Sequence, residues 1–173
     1  MQYNVNKQHD NFKLHAIERL RLLLDKDSFK EIGKDVSEFG TAYSDSKYQY
    51  DGVITGYGYI KNKLVFVYAQ DFTVCGGTVG LKHAKKIVRV IDLAIENKVP
   101  IIGINDSGGA RIQEGVNSLA GYGEIFFKNS KASGYIPQIS IIVGPCAGGA
   151  VYSPGITDFV FMTCNTATMY VTG

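Results

Sequence analysis

Charge of one sign is scarce in this 173-residue sequence. Lys and Arg number 18, Asp and Glu 16, the formal net charge is +2, and no basic cluster is longer than Lys85-Lys86. A nucleic-acid partner needs a patch that neutralises several phosphates, so that class is excluded. Cysteine is equally sparse. Cys75, Cys146 and Cys164 are odd in number, far apart and without a CxxC spacing. That argues against a disulfide framework and a zinc site, and points to a reducing, cytoplasmic setting. Proline, at 4 residues, is too rare for a collagen-like or low-complexity chain. Met1 to Lys13 carries no apolar core of a signal peptide. Ile139 to Ile156 runs 18 residues without a charge, but Gly144, Pro145, Gly148, Gly149, Pro154 and Gly155 interrupt it. A buried strand, a turn and a helix start are expected there rather than a membrane span.

Glycine is what the sequence has in excess: 20 residues, of which 18 lie from Gly52 onward. The length suits one domain that buries about two-thirds of its unfolded surface without staples. The first 40 residues read as a helix with a polar tail, since Ile17, Leu20, Leu23 and Leu24 keep 3- and 4-residue spacing. Tyr43 to Tyr50 reads as an exposed connection. Two apolar runs, 52–60 and 64–69, flank Lys61-Asn62-Lys63 and predict a hairpin. Leu81, Ala84, Ile87, Val88, Ile91, Ala94 and Ile95 predict a helix stopped by Asn97 and Pro100. Two short apolar runs, 100–104 and 139–143, each end in a Gly-rich turn that leads into helix-like sequence. Phe159 to Met162 and Met169 to Val171 read as further strands. Alternating strands and helices imply a largely parallel sheet in an α/β domain.

Three turns place glycines between a strand and a helix: Gly76-Gly77-Thr78-Val79-Gly80, Gly108-Gly109-Ala110 and Gly148-Gly149-Ala150. Each can leave backbone N–H groups free to meet negative charge. The first fails the dinucleotide fingerprint, because Cys75 stands where the first glycine is needed. No GxxxxGK[ST] or GxSxG occurs. Asp106-Ser107-Gly108-Gly109 looks like the nucleophile segment of a trypsin-like protease, but it continues into helix-like Ala110 to Glu114. Of the three histidines, His9 and His15 lie near the first helix. His83 reads as a helix-surface residue, as do Lys82, Lys85 and Lys86. The sequence thus offers many amide donors and no evident acid, base or nucleophile. Amides from two loops that converge would stabilise an enolate oxygen formed from a thioester, with the proton chemistry supplied from outside.

Longer motifs carry a resemblance. Leu14-His15-Ala16-Ile17-Glu18-Arg19-Leu20, Asp51-Gly52-Val53-Ile54-Thr55-Gly56-Tyr57-Gly58, Ala69 to Gly77, Asn105 to Gly115 and Gly144 to Pro154 stand in order across nearly the whole chain. Together they resemble the carboxyltransferase (beta) subunits of biotin-dependent acyl-CoA carboxylases, of the propionyl-CoA carboxylase and methylmalonyl-CoA decarboxylase type. The resemblance implies a ClpP/crotonase-like α/β fold, with residues 1–45 a helical segment and connection and 46–173 the carboxyltransferase domain. It implies carboxylate transfer between carboxybiotin, on a biotin carboxyl carrier protein, and the α-carbon of a short-chain acyl-CoA. The oxyanion role falls by motif on Gly148 and Gly149, and on Gly109 and Ala110. Ser107, Gly108, Arg111, Ala147 and Tyr152 are expected around the coenzyme A thioester, although Arg111 is better suited to pinning its loop through a carboxylate such as Glu114. No metal is expected. Biotin carboxylase or sodium-pump decarboxylase subunits are the implied partners, with homo-oligomers and a cytoplasmic location, if need be at the periphery of a membrane decarboxylase. Gly155 stands where the family has Ala, and Leu81-Lys82 where it often has Glu. Family subunits hold two crotonase-like halves, so the chain is expected to supply about half of a subunit and half of a site. A non-catalytic assembly fragment and a hydrolase using Ser107 or Ser153 are the competing readings.

Overall fold

The apolar runs flanking residues 61–63 pair as an antiparallel hairpin in the computed structural model, which describes residues 6–10, 12–34, 36 and 50–171. Its strands are β2 (Val53–Ile60) and β3 (Lys63–Gln70), and Lys61 and Asn62 between them both take positive φ, 49° and 63°. A two-residue loop of that geometry matches the right-handed strand twist. Ahead of the hairpin lie α1 (Asn6–His9), α2 (Ala16–Leu23) and β1 (Lys30–Ile32). After it come α3 (Leu81–Asn97), β4 (Ile101–Ser107), α4 (Val116–Ala132), β5 (Gln138–Ala147), α5 (Gly149–Gly155), β6 (Phe159–Met162) and β7 (Thr168–Tyr170). The sheet order is β1-β2-β3-β4-β5-β6, with β7 also on β5; β1-β2 and β2-β3 are antiparallel, and every later pair is parallel.

Alternation along the strands sends neighbouring residues into two cores. Val53, Phe66, Tyr68, Ile101 and Ile142 face α3 and α4, where they meet Ala84, Ile87, Ile91, Ala94, Tyr122 and Ile125. Ile54, Val67, Ile102 and Ile104 face α2, packing on Ala16, Ile17 and Leu20. The α3 stripe read from the sequence is therefore a core face, and the helix ends where expected: Lys98 takes the left-handed conformation at its C-cap, two residues before Pro100. No helix among the described residues is long and apolar enough to cross a membrane.

Three expectations change, and a fourth falls largely outside the described residues. The tail after α2 contains a strand, β1, on the sheet edge, where Thr55 Oγ1 donates to the Ile32 carbonyl at 2.7 Å. The exposed connection at 43–50 and the boundary at residue 45 lie outside the described residues, except Tyr50, which is buried and donates its hydroxyl to Asp71. His83 is not on the surface but fully buried, held between the Asp51 carbonyl at 2.8 Å and the Gln70 side-chain amide at 3.3 Å. Lys86 is also buried, and its Nζ donates to the Val53 carbonyl at 2.6 Å. In both cases a backbone carbonyl at or just before the start of the hairpin gives the polar head of an α3 side chain a partner. Lys85 is exposed and Lys82 half-buried.

His15 caps α2: its Nδ1 accepts the Ile17 N–H at 3.3 Å, and Glu18 Oε2 returns a bond from the His15 N–H at 2.7 Å. Its Nε2 reaches Asp71 Oδ2 at 2.9 Å, and the other Asp71 oxygen accepts the Thr73 N–H and hydroxyl. Burial raises the Asp71 carboxyl, but the His15, Tyr50 and Thr73 contacts outweigh it and hold the pKa below the ordinary value. A carboxyl whose folded pKa is depressed stabilises the fold above its unfolded pKa and loses that contribution as pH falls through the folded one. Asp71→Asn is therefore expected to lower stability at pH 7 and to flatten its decline between about pH 5 and 3. Urea midpoints at four pH values check this; an unchanged acid slope would remove Asp71 from the account.

Candidate functional site

All seven residues of β4 are buried, and the strand runs straight into Gly108-Gly109. Its parallel pairing with β5 slips between Asn105 and Ser107, so that Ser107 meets Cys146. Beyond the slip, three glycine turns close on one another. Gly77 has φ +65°, and a Cβ there would lie 2.1 Å from the Asp106 carbonyl oxygen; Gly109 has φ +98°, and a Cβ would lie 2.8 Å from the Ala147 carbonyl oxygen. Backbone bonds tie the turns together: Gly108 N–H to Gly76 O at 2.9 Å, Val79 N–H to Gly109 O at 2.8 Å and Arg111 N–H to Val79 O at 2.9 Å. Only residues without side chains allow this approach.

The four amides expected at an oxyanion site divide into two kinds. Gly109 N–H donates to Ser107 Oγ at 3.2 Å, and Gly148 N–H to the Tyr170 carbonyl of β7 at 3.2 Å. Ala110 N–H and Gly149 N–H have no hydrogen-bond partner among the described residues. One donor remains on each turn, and both residues are half-buried.

Behind the turns lies buried charge. Asp106 accepts from Lys13 Nζ at 2.9 and 2.7 Å and from Arg19 Nη2 at 2.9 Å. Arg111 bonds Asp51 Oδ1 at 2.6 Å, Glu114 Oε1 at 2.8 Å, the Thr78 carbonyl at 2.9 Å and the Asp51 carbonyl at 3.2 Å. Burial opposes the charge on Arg111, yet Asp51 and Glu114 hold its guanidinium above the ordinary pKa. Glu114 Oε2 also accepts the Leu81 N–H at 2.7 Å and so caps α3, whose N-cap Gly80 has no side chain to do it. The side chain of Arg111 thus pins its loop.

The other expected residues are placed as follows. Ser107 is fully buried, Gly108 is exposed, Ala147 is half-buried and Tyr152 is 54% exposed. The Tyr122 ring packs on the Gly149 backbone, where a Cβ would come within 2.8 Å of it. Burial pushes the Cys146 thiol up to about 12, so it stays protonated and inert at neutral pH. Burial likewise drives the His83 pKa well below its ordinary value, with Arg111 adding to the fall. Ser153 Oγ donates to Asn129 Oδ1 at 2.9 Å inside the core, and neither Ser107 nor Ser153 has a histidine partner among the described residues.

The carboxyl transferase domain model matches residues 7–173. The chain belongs to the carboxyl transferase domain family. Propionyl-CoA carboxylase beta chain of Roseobacter denitrificans is 55% identical to this chain over 99% of the chain and 34% of the relative. Methylmalonyl-CoA decarboxylase subunit alpha of Veillonella parvula is 56% identical over 98% of the chain and 34% of the relative. A crystal structure of transcarboxylase 12S, a hexamer with methylmalonyl-coenzyme A and methylmalonic acid bound, superimposes with a TM-score of 0.92 at 48% identity, covering 98% of this chain and 33% of that one. The beta subunit of geranyl-CoA carboxylase from P. aeruginosa gives 0.84 at 30% identity, over 97% and 32%. The fold is thus the crotonase-like α/β fold of these carboxyltransferases. The chain spans about one third of the length of these relatives, where the sequence suggested about half.

Sequence reasoning missed Asp51, Gln70 and Tyr122 as supports of the site. Asp51 lies 60 residues from Arg111, Gln70 closes a strand, and Tyr122 sits between two glycines of α4, Gly121 and Gly123. No local pattern connects any of them to the turns; Asp51 and Gln70 fall inside motifs that carry the family resemblance, and Tyr122 falls in none.

Proposed function

We propose that this chain forms the acyl-CoA side of a biotin-dependent carboxyltransferase acting on a short-chain acyl-CoA such as propionyl-CoA or methylmalonyl-CoA. The observation that carries the reading is the pair of unpartnered amides, Ala110 N–H and Gly149 N–H, one on each of two turns in contact. A thioester carbonyl placed between them would gain most when its oxygen becomes an enolate, because fixed donors in a partly dried site need no reorganisation as charge develops. Gly108 and Ala147 leave the approach open, and the exposed Tyr152 ring offers a face beside it. Arg111, Asp51 and Glu114 hold the first turn in place rather than touch the substrate. Carboxybiotin, on a carrier domain outside this chain, would supply the carboxylate and take the α-proton. That division of labour suits turns that present amides and whose nearest hydroxyl, Ser107, is buried. Biotin carboxylase or membrane decarboxylase subunits, and further copies of the chain, are the partners this role would require, at a cytoplasmic or membrane-peripheral location.

The test follows label exchange between methylmalonyl-CoA and biotin, catalysed by the polypeptide that carries this chain. Transfer that depends on both compounds and fails with free methylmalonate supports the reading. Absence of transfer with methylmalonyl-CoA and propionyl-CoA, together with no binding of either by calorimetry, overturns it and favours an assembly fragment.

A further inference from the structure

We propose that Lys13 and Arg19 are positioning residues for the turn from Ser107 to Ala110, acting through the Asp106 carboxylate; this rests on the functional reading above. Asp106 is fully buried and immediately precedes the turn. It sits at the point where β4-β5 pairing slips, so the sheet ladder that fixes Ile101 to Asn105 does not fix this peptide. Side chains take over. The Asp106 N–H donates to Gln70 Oε1 at 3.3 Å, and its carbonyl occupies the space that a Cβ on Gly77 would need. Its carboxylate is gripped on both oxygens by Lys13 and on Oδ2 by Arg19.

The composition of the grip is the second argument. One buried carboxylate is balanced by one cation, and Arg19 on α2 already provides it. Lys13 adds a second cation, with its side chain 12% exposed and its ammonium also 4.9 Å from the centre of the Phe72 ring. Room for it exists because residue 144 is glycine: a Cβ there would lie 2.6 Å from Lys13 Nζ and 2.0 Å from Asp106 Oδ1. Gly144 belongs to β5, the strand that ends in the second turn. The clamp therefore reaches from the N-terminal segment to the peptide that leads into Gly109 and Ala110. It lies on the α2 face of the sheet, where Lys13 and Arg19 line a groove of about 420 Å³ with Ile104, Ile141 and Val143, and not on the face that carries Tyr122 and α5. Lys13 is thus placed to affect turn geometry without touching acyl-CoA.

Lys13→Met leaves Asp106 paired with Arg19 and so removes the second grip without stranding a charge. In the polypeptide that carries this chain, it is expected to lower kcat for carboxyl transfer about 10-fold, with KM for the acyl-CoA unchanged within about twofold, since small misplacements of catalytic donors are costly. Amide hydrogen exchange at Gly108 and Gly109, whose N–H groups are bonded, should quicken about 10-fold while the α3 amides keep their wild-type rates. Lys13→Arg, which restores charge and donors, should recover both. Wild-type kcat together with wild-type exchange in the turn overturns the clamp, and so does faster exchange spread over α3, which would mark general destabilisation. If the wild-type protein transfers no carboxylate, the functional reading falls, and the exchange pattern alone decides the clamp.

Discussion

Arg111→Met lowers the unfolding free energy by about 3–5 kcal/mol, the cost of stranding buried charge when one partner of an ion pair is removed. The guanidinium bridges two carboxylates and two carbonyls from three separate segments, and only a planar fork can meet them together. Its loss leaves Asp51, fully buried, without a cation at Oδ1 and frees Glu114 from the geometry in which it caps α3. Arg111→Lys should recover less than half of the loss, because one ammonium cannot span the same acceptors. Adding Asp51→Asn to Arg111→Met should cost clearly less than the sum of the single changes, since the pair shares one interaction. Urea unfolding of the four variants checks the expectation. A loss below about 1 kcal/mol for Arg111→Met would place it among exposed pairs of little energetic consequence and sink the argument.

Gly77→Ala should be at least as damaging. Two costs add at this position: a left-handed backbone at φ +65°, about 1–3 kcal/mol for a residue with a side chain, and a Cβ lodged 2.1 Å from the Asp106 carbonyl oxygen. The listener on the other side is backbone of a fully buried strand, so nothing flexible can move aside; overpacking of that kind adds about 1–3 kcal/mol or more. Gly76→Ala is the internal control. Gly76 has nearly the same φ, +63°, but a Cβ there meets only the Phe72 ring at 4.0 Å. It should therefore show the conformational cost alone. Urea midpoints of the two variants separate the effects, and equal losses would show that space at Gly77 is not what matters.

The hairpin, α3 and the two strand-to-glycine turns were legible because each is a local pattern: a two-residue loop between apolar runs, a 3.6-residue stripe, or an apolar run ending in Gly-Gly. The pin formed by Arg111 and Glu114 was legible too, at i, i+3. β1 was not. Lys30-Glu31-Ile32 has no alternation long enough to register, and it is a strand only because the β2 edge beside it is open to pairing. His83 and Lys86 misled for a related reason: residue type suggested solvent, while the partners that make burial tolerable, the carbonyls of Asp51 and Val53, lie at or just before the start of the hairpin some 30 residues earlier. The same holds for the amides. Motif position put Gly148 and Gly149 ahead of Gly109 and Ala110, and the return of β7 shows that Gly148 N–H is already used.

Gly80 illustrates what the glycine excess means for how this sequence can change. A Cβ on Gly80 would lie 2.0 Å from Glu114 Oε1, so the missing side chain at one position is the space for the carboxylate at another. The two positions form a single epistatic unit. An alanine at 80 displaces the Glu114 carboxylate from the Leu81 N–H and Arg111, and a shortened residue at 114 leaves α3 without its cap and Arg111 with one acceptor fewer. Neither order of single steps is neutral. Divergence at this corner should therefore proceed by paired replacement, and in a combinatorial library the two sites should be recovered together or not at all.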